Sequence, residues 1–417
     1  MKERILFLAL TTIWIIAIST LNEIQAQQTQ LTLTDKALDS PIDLLNKDLM
    51  AFSNRSDFNG FSVSIVNQKE ILHQRGFGYS NVEKKREYTH NTIQAVASIS
   101  KTLIGIALLK AQEQGKLKLD DPINKYLPFK VINPYYPDTP ITIRHLATHT
   151  SSIKYTKAYE RRSYVLLNKS DKSVRALRWF DEKFNVPADQ VTLKDYLKNI
   201  LVKKEAWYRK KNYYKHKPGT KFSYSNEGAA LAAYVIEQAT GESYDIYTKK
   251  YILQPLGMTS TGWSFDKVDM ENLSMLYSNK TPLPKYYLIP YPDGGMITSV
   301  HDLGKFLIEL IKGYSGEGTL LKPESYKEYF KEQLTEKELG SDRWNNKFND
   351  EYNTGIFMGF TTNYIGHTGS DPGTRAYMFF DPKTRIGKIA IFNTSGIYTK
   401  LDELWEILSK YEKRIIR

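Results

Sequence analysis

Apolar and polar positions first alternate at Phe61, Val63 and Ile65, with Ser62 and Ser64 between them. That period of two predicts a strand, and the polar stretch Asn67-Gln68-Lys69-Glu70 followed by an extended run to Gly76-Phe77-Gly78 completes a hairpin. The same character returns near the other end. Apolar runs at 376–380 and 389–392 flank Asp381-Pro382-Lys383-Thr384, a turn-forming linker between two short strands, and a final helix from 401 to about 411 has Leu401, Leu404, Trp405 and Leu408 on one side. The chain between is mostly helical. The run Thr102-Leu103-Ile104-Gly105-Ile106-Ala107-Leu108-Leu109-Lys110-Ala111 predicts a buried helix ending before Gly115. Leu193, Tyr196, Leu197, Ile200 and Leu201 recur at helical spacing behind a Thr192 cap with Asp195 at N3, and 229–238 is a further helix stopped by Gly241. Strands at both ends with helices between predict an α+β fold: an antiparallel sheet built from N- and C-terminal strands, flanked by helices, with a mainly helical subdomain of about 104–290 inserted into it.

Length and composition narrow this picture. At 417 residues the chain has ample length for a packed core, and 41% hydrophobic with 25% charged residues is ordinary for a globular protein. Lys2 and Arg4 precede an apolar run from Ile5 to Ile18, and Ile24-Gln25-Ala26 offers a cleavage point, so 1–26 reads as a signal peptide and the protein as exported, periplasmic or secreted in a bacterial envelope. Residues 27–44, polar and without a clear period, read as a lead-in to a domain at 45–412, with 413–417 as a tail. The chain has no cysteine, which excludes disulfides, thiolate metal sites and a cysteine nucleophile. The formal charge of +12 is concentrated between Lys154 and Lys217. In an exported protein that basic segment suits an anionic envelope surface or plain solvation, and no nucleic-acid partner is expected.

The candidate chemistry lies at Ser98-Ile99-Ser100-Lys101. On a helix the Ser98 hydroxyl and Lys101 amine share a face, and a desolvated lysine can take the serine proton. Ser-x-x-Lys also occurs at Ser151 and Ser264, where no apolar helix follows, and an isolated match more often marks a helix cap followed by a surface lysine. Tyr224-Ser225-Asn226, led by Pro218-Gly219-Thr220 and running into the helix from Glu227, supplies a phenol to carry protons and an amide to bind substrate; Tyr-Ser-Asn recurs at Tyr79 and Tyr277 without that setting. In Gly366-His367-Thr368-Gly369-Ser370, His367 and Gly369 on a strand point to one face, and the amides of Ser98 and Ser370 can pair as an oxyanion hole. His145 and His149 have a helical metal-ligand spacing, but no third ligand is evident, so neither a metal nor another cofactor is expected.

Taken together, Ser98-Ile99-Ser100-Lys101, Tyr224-Ser225-Asn226 and His367-Thr368-Gly369 resemble the three motifs, in order, of the serine β-lactamase and penicillin-binding-protein superfamily, in its class C and D-aminopeptidase/esterase-like branch. The stretches Gly115-Lys116-Leu117-Lys118-Leu119-Asp120-Asp121-Pro122, Ile143-Arg144-His145-Leu146-Ala147-Thr148-His149-Thr150-Ser151 and Gly294-Gly295-Met296-Ile297-Thr298-Ser299 extend the resemblance. It implies that Ser98 is acylated, that Lys101 and Tyr224 share base and acid duty, that Asn226 orients the substrate amide and that the Ser98 and Ser370 amides hold the oxyanion. It also implies a structural role for His145 and His149 beside the centre. His367 stands where lactamases carry lysine, which weakens the positive charge offered to a substrate carboxylate. The substrates implied are D-amino-acid-containing peptides, carboxylic esters or cell-wall-derived molecules. β-Lactamase or D-Ala-D-Ala carboxypeptidase activity is the alternative, and a non-catalytic envelope-binding module is a further one.

Overall fold

The computed structural model describes Gln25 and residues 40–55, 57–169, 184–339, 355–396 and 401–415. Apart from Gln25, the expected signal peptide lies outside the described residues, as does the tail beyond 415. The chain divides into two units, Met1–Asp48 and Leu49–Arg417. Helix α1, Pro41–Arg55, begins inside what the sequence marks as a polar lead-in. Its start is local chemistry: Ser40 Oγ accepts from the Asp43 amide at 3.2 Å, the Asp43 carboxylate accepts from the Ser40 amide at 3.2 Å, and a proline occupies the first helical position.

The second unit is built on a seven-stranded antiparallel sheet. Its strands in chain order are β1 (Gly60–Val66), β2 (Ile71–Asn81), β3 (Arg86–Glu87), β4 (Gly359–Phe360), β5 (Ile365–Asp371), β6 (Thr374–Phe380) and β7 (Gly387–Phe392). In space they run β4-β5-β6-β7-β1-β2-β3, so the two ends of the chain meet where β1 pairs with β7, Phe61 opposite Phe392. Phe61 stacks on Phe77 at 5.1 Å and on Phe392 at 5.4 Å between ring centroids, and every residue of β1 is buried. The alternation that marks β1 as a strand therefore places serines inside as well as phenylalanines. Both sheet faces at this position are covered, one of them by helix α4 (Val300–Tyr314). The last helix, α5 (Leu401–Ile415), is tied to the sheet by the fully buried Lys388 on β7, whose Nζ donates to Glu412 Oε2 at 2.6 Å.

The inserted part is held together by two helices, α2 (Ser100–Glu113) and α3 (Asn226–Thr240), which pack on each other in the main core. α2 has eleven buried residues of fourteen, too many for a surface helix, which is why its apolar run lacks a clean polar stripe. α3 stops at Gly241, whose φ of 77° is the left-handed conformation that glycine adopts without strain. Two small sheets then fix the loops. Gln94–Ala95 pairs with Ile297–Thr298, and Tyr164–Leu166 is flanked by Phe184–Asn185 and Tyr286–Leu288. Among the described residues no helix is long and apolar enough to cross a membrane.

Candidate active site

Ser98 sits on a short 3₁₀ turn, Ala97–Ile99, that feeds directly into α2. Ala97 holds φ at 48°, an unfavourable region for a residue with a Cβ, immediately before the serine. The turn is clamped from the loop that follows Asp293: the Val96 amide donates to Met296 O at 3.0 Å, the Met296 amide donates to Ser100 Oγ at 3.1 Å, and Ser100 Oγ donates to Ala97 O at 2.6 Å. Pairing of Gln94–Ala95 with Ile297–Thr298 sets that register.

Lys101, fully buried, aims its Nζ at Ser98 Oγ, 3.0 Å away, and donates to the main-chain oxygen of Asp293 at 2.6 Å. Its third neighbour is the Tyr224 ring, with the ammonium 5.2 Å from the centroid. Tyr224 arrives just before α3, where Ser225 caps the helix by accepting from the Gly228 amide at 3.0 Å. Its ring lies 4.4 Å from that of His149 and 6.4 Å from that of His367. The structure thus joins Ser98 to Lys101 by a hydrogen bond and brings Tyr224 alongside as a ring; its hydroxyl has no hydrogen-bond partner among the described residues. Asn226, the first residue of α3, carries a buried Oδ1 that also lacks a partner among them.

His367 and Gly369 occupy alternate positions of β5. A Cβ at Gly369 would lie 2.0 Å from Val96 O, so only glycine lets the strand close on the Ser98 turn. His367 is 2% exposed; its Nδ1 is 2.6 Å from Thr368 O, which fixes the ring proton there and leaves Nε2 as a buried acceptor without a partner among the described residues. Burial pushes its imidazole down to about 4; the Thr368 carbonyl opposes this and the Lys101 charge adds to it. The third motif therefore offers a neutral ring at pH 7. Ser370, next along, is exposed, and its Oγ accepts from Arg375.

His145 and His149 do not share a helical face, because the helix Ile143–Ala147 ends between them and His149 has φ of 53°. His145 Nδ1 accepts from the Thr142 amide at 3.2 Å and His149 Nδ1 accepts from the Ser225 amide at 3.2 Å. Each ring is spent on holding backbone, the second directly beside Tyr224. The other Ser-x-x-Lys copies go elsewhere: Lys154 lies over the Tyr214 ring at 4.5 Å, and Lys267 pairs with Asp266 at 3.1 Å.

Two acids in this region carry no motif. Asp293 is 1% exposed; besides the contact of its main chain with Lys101, its Oδ1 accepts from Tyr159 OH at 2.7 Å while Oδ2 has no partner among the described residues. Burial pushes its carboxyl up to about 7 against the pull of Lys101. Glu227, fully buried beside Asn226, accepts from the Thr156 amide at 2.8 Å and is pushed up to about 8, again by burial. The only sequence sign of Asp293 is its place before Gly294-Gly295.

Comparison with known proteins bears on the family and the fold. The Beta-lactamase family profile matches residues 45–408. The chain is 26% identical over 344 residues to "Protein flp" of Staphylococcus aureus (strain N315), covering 81% of this chain and 60% of that protein, so it spans well under two thirds of the relative's length. Among solved structures, the octameric penicillin-binding protein homologue from Pyrococcus abyssi superposes with a TM-score of 0.68 at 25% identity, over 88% of this chain and 77% of that one. A Beta-lactamase/D-alanine Carboxypeptidase from Yersinia pestis, complexed with citrate, shares the fold with a TM-score of 0.62 at 18% identity, over 90% of this chain and 99% of that one.

Proposed function

Because the chain belongs to the Beta-lactamase family, within the serine β-lactamase and penicillin-binding-protein superfamily, we propose that it is an exported serine hydrolase acting through a Ser98 acyl-enzyme on D-amino-acid-containing peptides or carboxylic esters. The observation that carries this reading is the 3.0 Å separation of Lys101 Nζ from Ser98 Oγ inside a buried setting. As a free amine, Lys101 accepts the hydroxyl proton while still donating to Asp293 O, and Ser98 Oγ adds to the substrate carbonyl. The oxyanion is held by the Ser98 and Ser370 amides, whose individual loss typically costs about 3 kcal/mol of transition-state stabilisation. Tyr224, beside the ammonium, passes the proton to the departing amine or alkoxide, and water then releases the acyl group by the reverse route. Asn226 Oδ1, a buried acceptor in need of a donor, binds the substrate amide.

The neutral His367 supports peptides and esters over β-lactams, since a β-lactam presents a carboxylate to this motif. Export rests on the charged start and apolar run at 2–18. The test is intact-mass analysis after incubation with a fluorophosphonate: one adduct mapping to Ser98 is expected, absent in Ser98→Ala. An unlabelled parent protein overturns the reading. Nitrocefin turnover equal in parent and Ser98→Ala is expected alongside; Ser98-dependent turnover would move the assignment to a β-lactamase.

A further inference from the structure

The basic stretch picked out by its charge does not spread evenly over the surface. Lys154, Lys157, Arg161, Arg162, Arg209 and Lys211 line one open cavity of about 490 Å³, with Trp207 in its wall, between the short helix Lys157–Arg162 and the loop after the helix Leu193–Leu201. Among the described residues no carboxylate lines it. Among them, too, Lys154, Lys157, Arg162, Arg209 and Lys211 have no ion-pair partner; the nearby Glu205 is committed to Lys198 at 3.0 Å. The Arg162 guanidinium lies over the Trp207 ring, its Cζ 5.4 Å from the centroid, and a guanidinium on an aromatic face can still present N–H groups to an oxyanion. Like charges around one concavity repel one another and raise the local concentration of anions.

Two short chains of contacts connect the cavity to the candidate active site. Tyr155 and Thr156 both line it. The Tyr155 ring lies 5.1 Å from Tyr159, whose hydroxyl reaches Asp293, and the Thr156 amide donates to Glu227, the neighbour of Asn226. The volume is in the range that accommodates a small-molecule group rather than a lone ion. The cavity's cations are of a kind that the buried, neutral His367 does not supply in the third motif.

We propose that the cavity is an anion subsite that holds a carboxylate or phosphate group of an extended substrate while its carbonyl reacts at Ser98. This rests on the serine-hydrolase reading for its purpose, though not for the binding itself. The direct probe is inorganic pyrophosphate, titrated into the full chain by calorimetry at low and at high sodium chloride. Saturable binding that weakens with salt is expected, and at least a tenfold loss in Arg162→Gln/Arg209→Gln and in the exposed pair Lys157→Gln/Lys211→Gln. The second arm compares 4-nitrophenyl esters of dicarboxylic acids of increasing chain length with their methyl-capped neutral counterparts. The preference in kcat/KM for the anionic ester is expected to fall at least tenfold in the same variants, with the neutral ester and fluorophosphonate labelling of Ser98 unchanged. Two carriers of the anion are separated by repeating the comparison with esters bearing a terminal phosphate. Absence of pyrophosphate binding, or equal affinity in the variants, overturns the subsite. Binding without any preference between charged and neutral esters overturns its role in substrate recognition. Failure of Ser98 to label in parent and variants alike overturns the hydrolase reading while leaving the pyrophosphate result to stand by itself.

Discussion

Lys101 Nζ lies nearer to the main-chain oxygen of Asp293, at 2.6 Å, than to Ser98 Oγ, at 3.0 Å. A carbonyl can accept but never donate, so this contact orients the amine whichever protonation state it holds. Replacing Lys101 with methionine keeps much of the buried volume and removes the base. The fluorophosphonate labelling rate of Ser98 is expected to fall by about 10²–10⁴-fold. A variant that labels at the parental rate would show that Lys101 takes no part in activating the serine.

Tyr159 controls the other side of Asp293. Its hydroxyl supplies the one hydrogen bond found to a carboxyl that is otherwise unpartnered among the described residues. Tyr159→Phe strips this bond and leaves a buried carboxyl unsatisfied, which costs about 1–3 kcal/mol. Chemical denaturation should register that loss as a lower midpoint with an unchanged slope. In the double variant Tyr159→Phe/Asp293→Asn part of the loss is expected to return, because the ionisable group is gone; purely additive losses would contradict this.

Glu227 gives a pH dependence with a definite sign. Its ordinary value is 4.5 and burial raises it to about 8 in the folded chain. Between those values the unfolded chain has released a proton that the folded chain keeps, so stability is full below 4.5, declines as pH rises, and is lost above about 8. Glu227→Gln mimics the protonated acid and does not titrate. Its melting temperature should exceed that of the parent at pH 8, by the equivalent of on the order of 4 kcal/mol, with the gap closing towards pH 5. The depressed His367 and His149 work in the opposite direction at lower pH, but they are common to both proteins and cancel in the difference. A gap independent of pH would refute the assignment of a protonated Glu227.

Gly369→Ala puts a Cβ 2.0 Å from Val96 O, and main chain on both sides leaves nothing flexible to yield. Either β5 or the serine turn must shift. About 1–3 kcal/mol of destabilisation is expected, together with a loss of Ser98 labelling larger than stability accounts for. Labelling at the parental rate in a folded variant would mean that the turn tolerates displacement.

The Lys388–Glu412 pair offers a test of how the last helix is attached. Both partners are buried and 2.6 Å apart, so Glu412→Leu leaves an uncompensated ammonium and should cost about 3–5 kcal/mol. Lys388→Met/Glu412→Leu should recover most of that in a thermal melt. No recovery would indicate that helix packing rather than the charge is what the single variant disturbs.

The framework of this fold is legible where the signal is periodic or local. The alternation at Phe61, Val63 and Ile65, the Thr192 cap and the stop at Gly241 each depend on neighbours within a turn or a strand. The small sheets are illegible for the opposite reason: pieces of two or three residues, such as Tyr286–Leu288, have no period to read. The helix α4 has its period, in Leu303, Phe306, Leu307, Leu310 and Ile311 behind Ser299, yet carries no motif that draws attention to it. In the site, the serine and lysine neighbour each other in sequence and could be paired by spacing. Asp293 and Glu227 could not, because what distinguishes them is burial and the company of Tyr159 and Thr156, which only the folded chain supplies. The spacing of His145 and His149 misleads in the same way, since the helix that would align them ends at Ala147.

The pairing of Phe61 with Phe392 has a consequence in time as well as in space. The sheet's central contact joins positions more than three hundred residues apart, and β5, which closes on the serine turn, lies between β4 and β6 in the late part of the chain. Loop closure over such a span must precede the contacts that reward it, so folding is expected to be slow. A nascent chain that has not yet produced β7 lacks the centre of its own sheet, although Ser98 and Lys101 are by then long since synthesised.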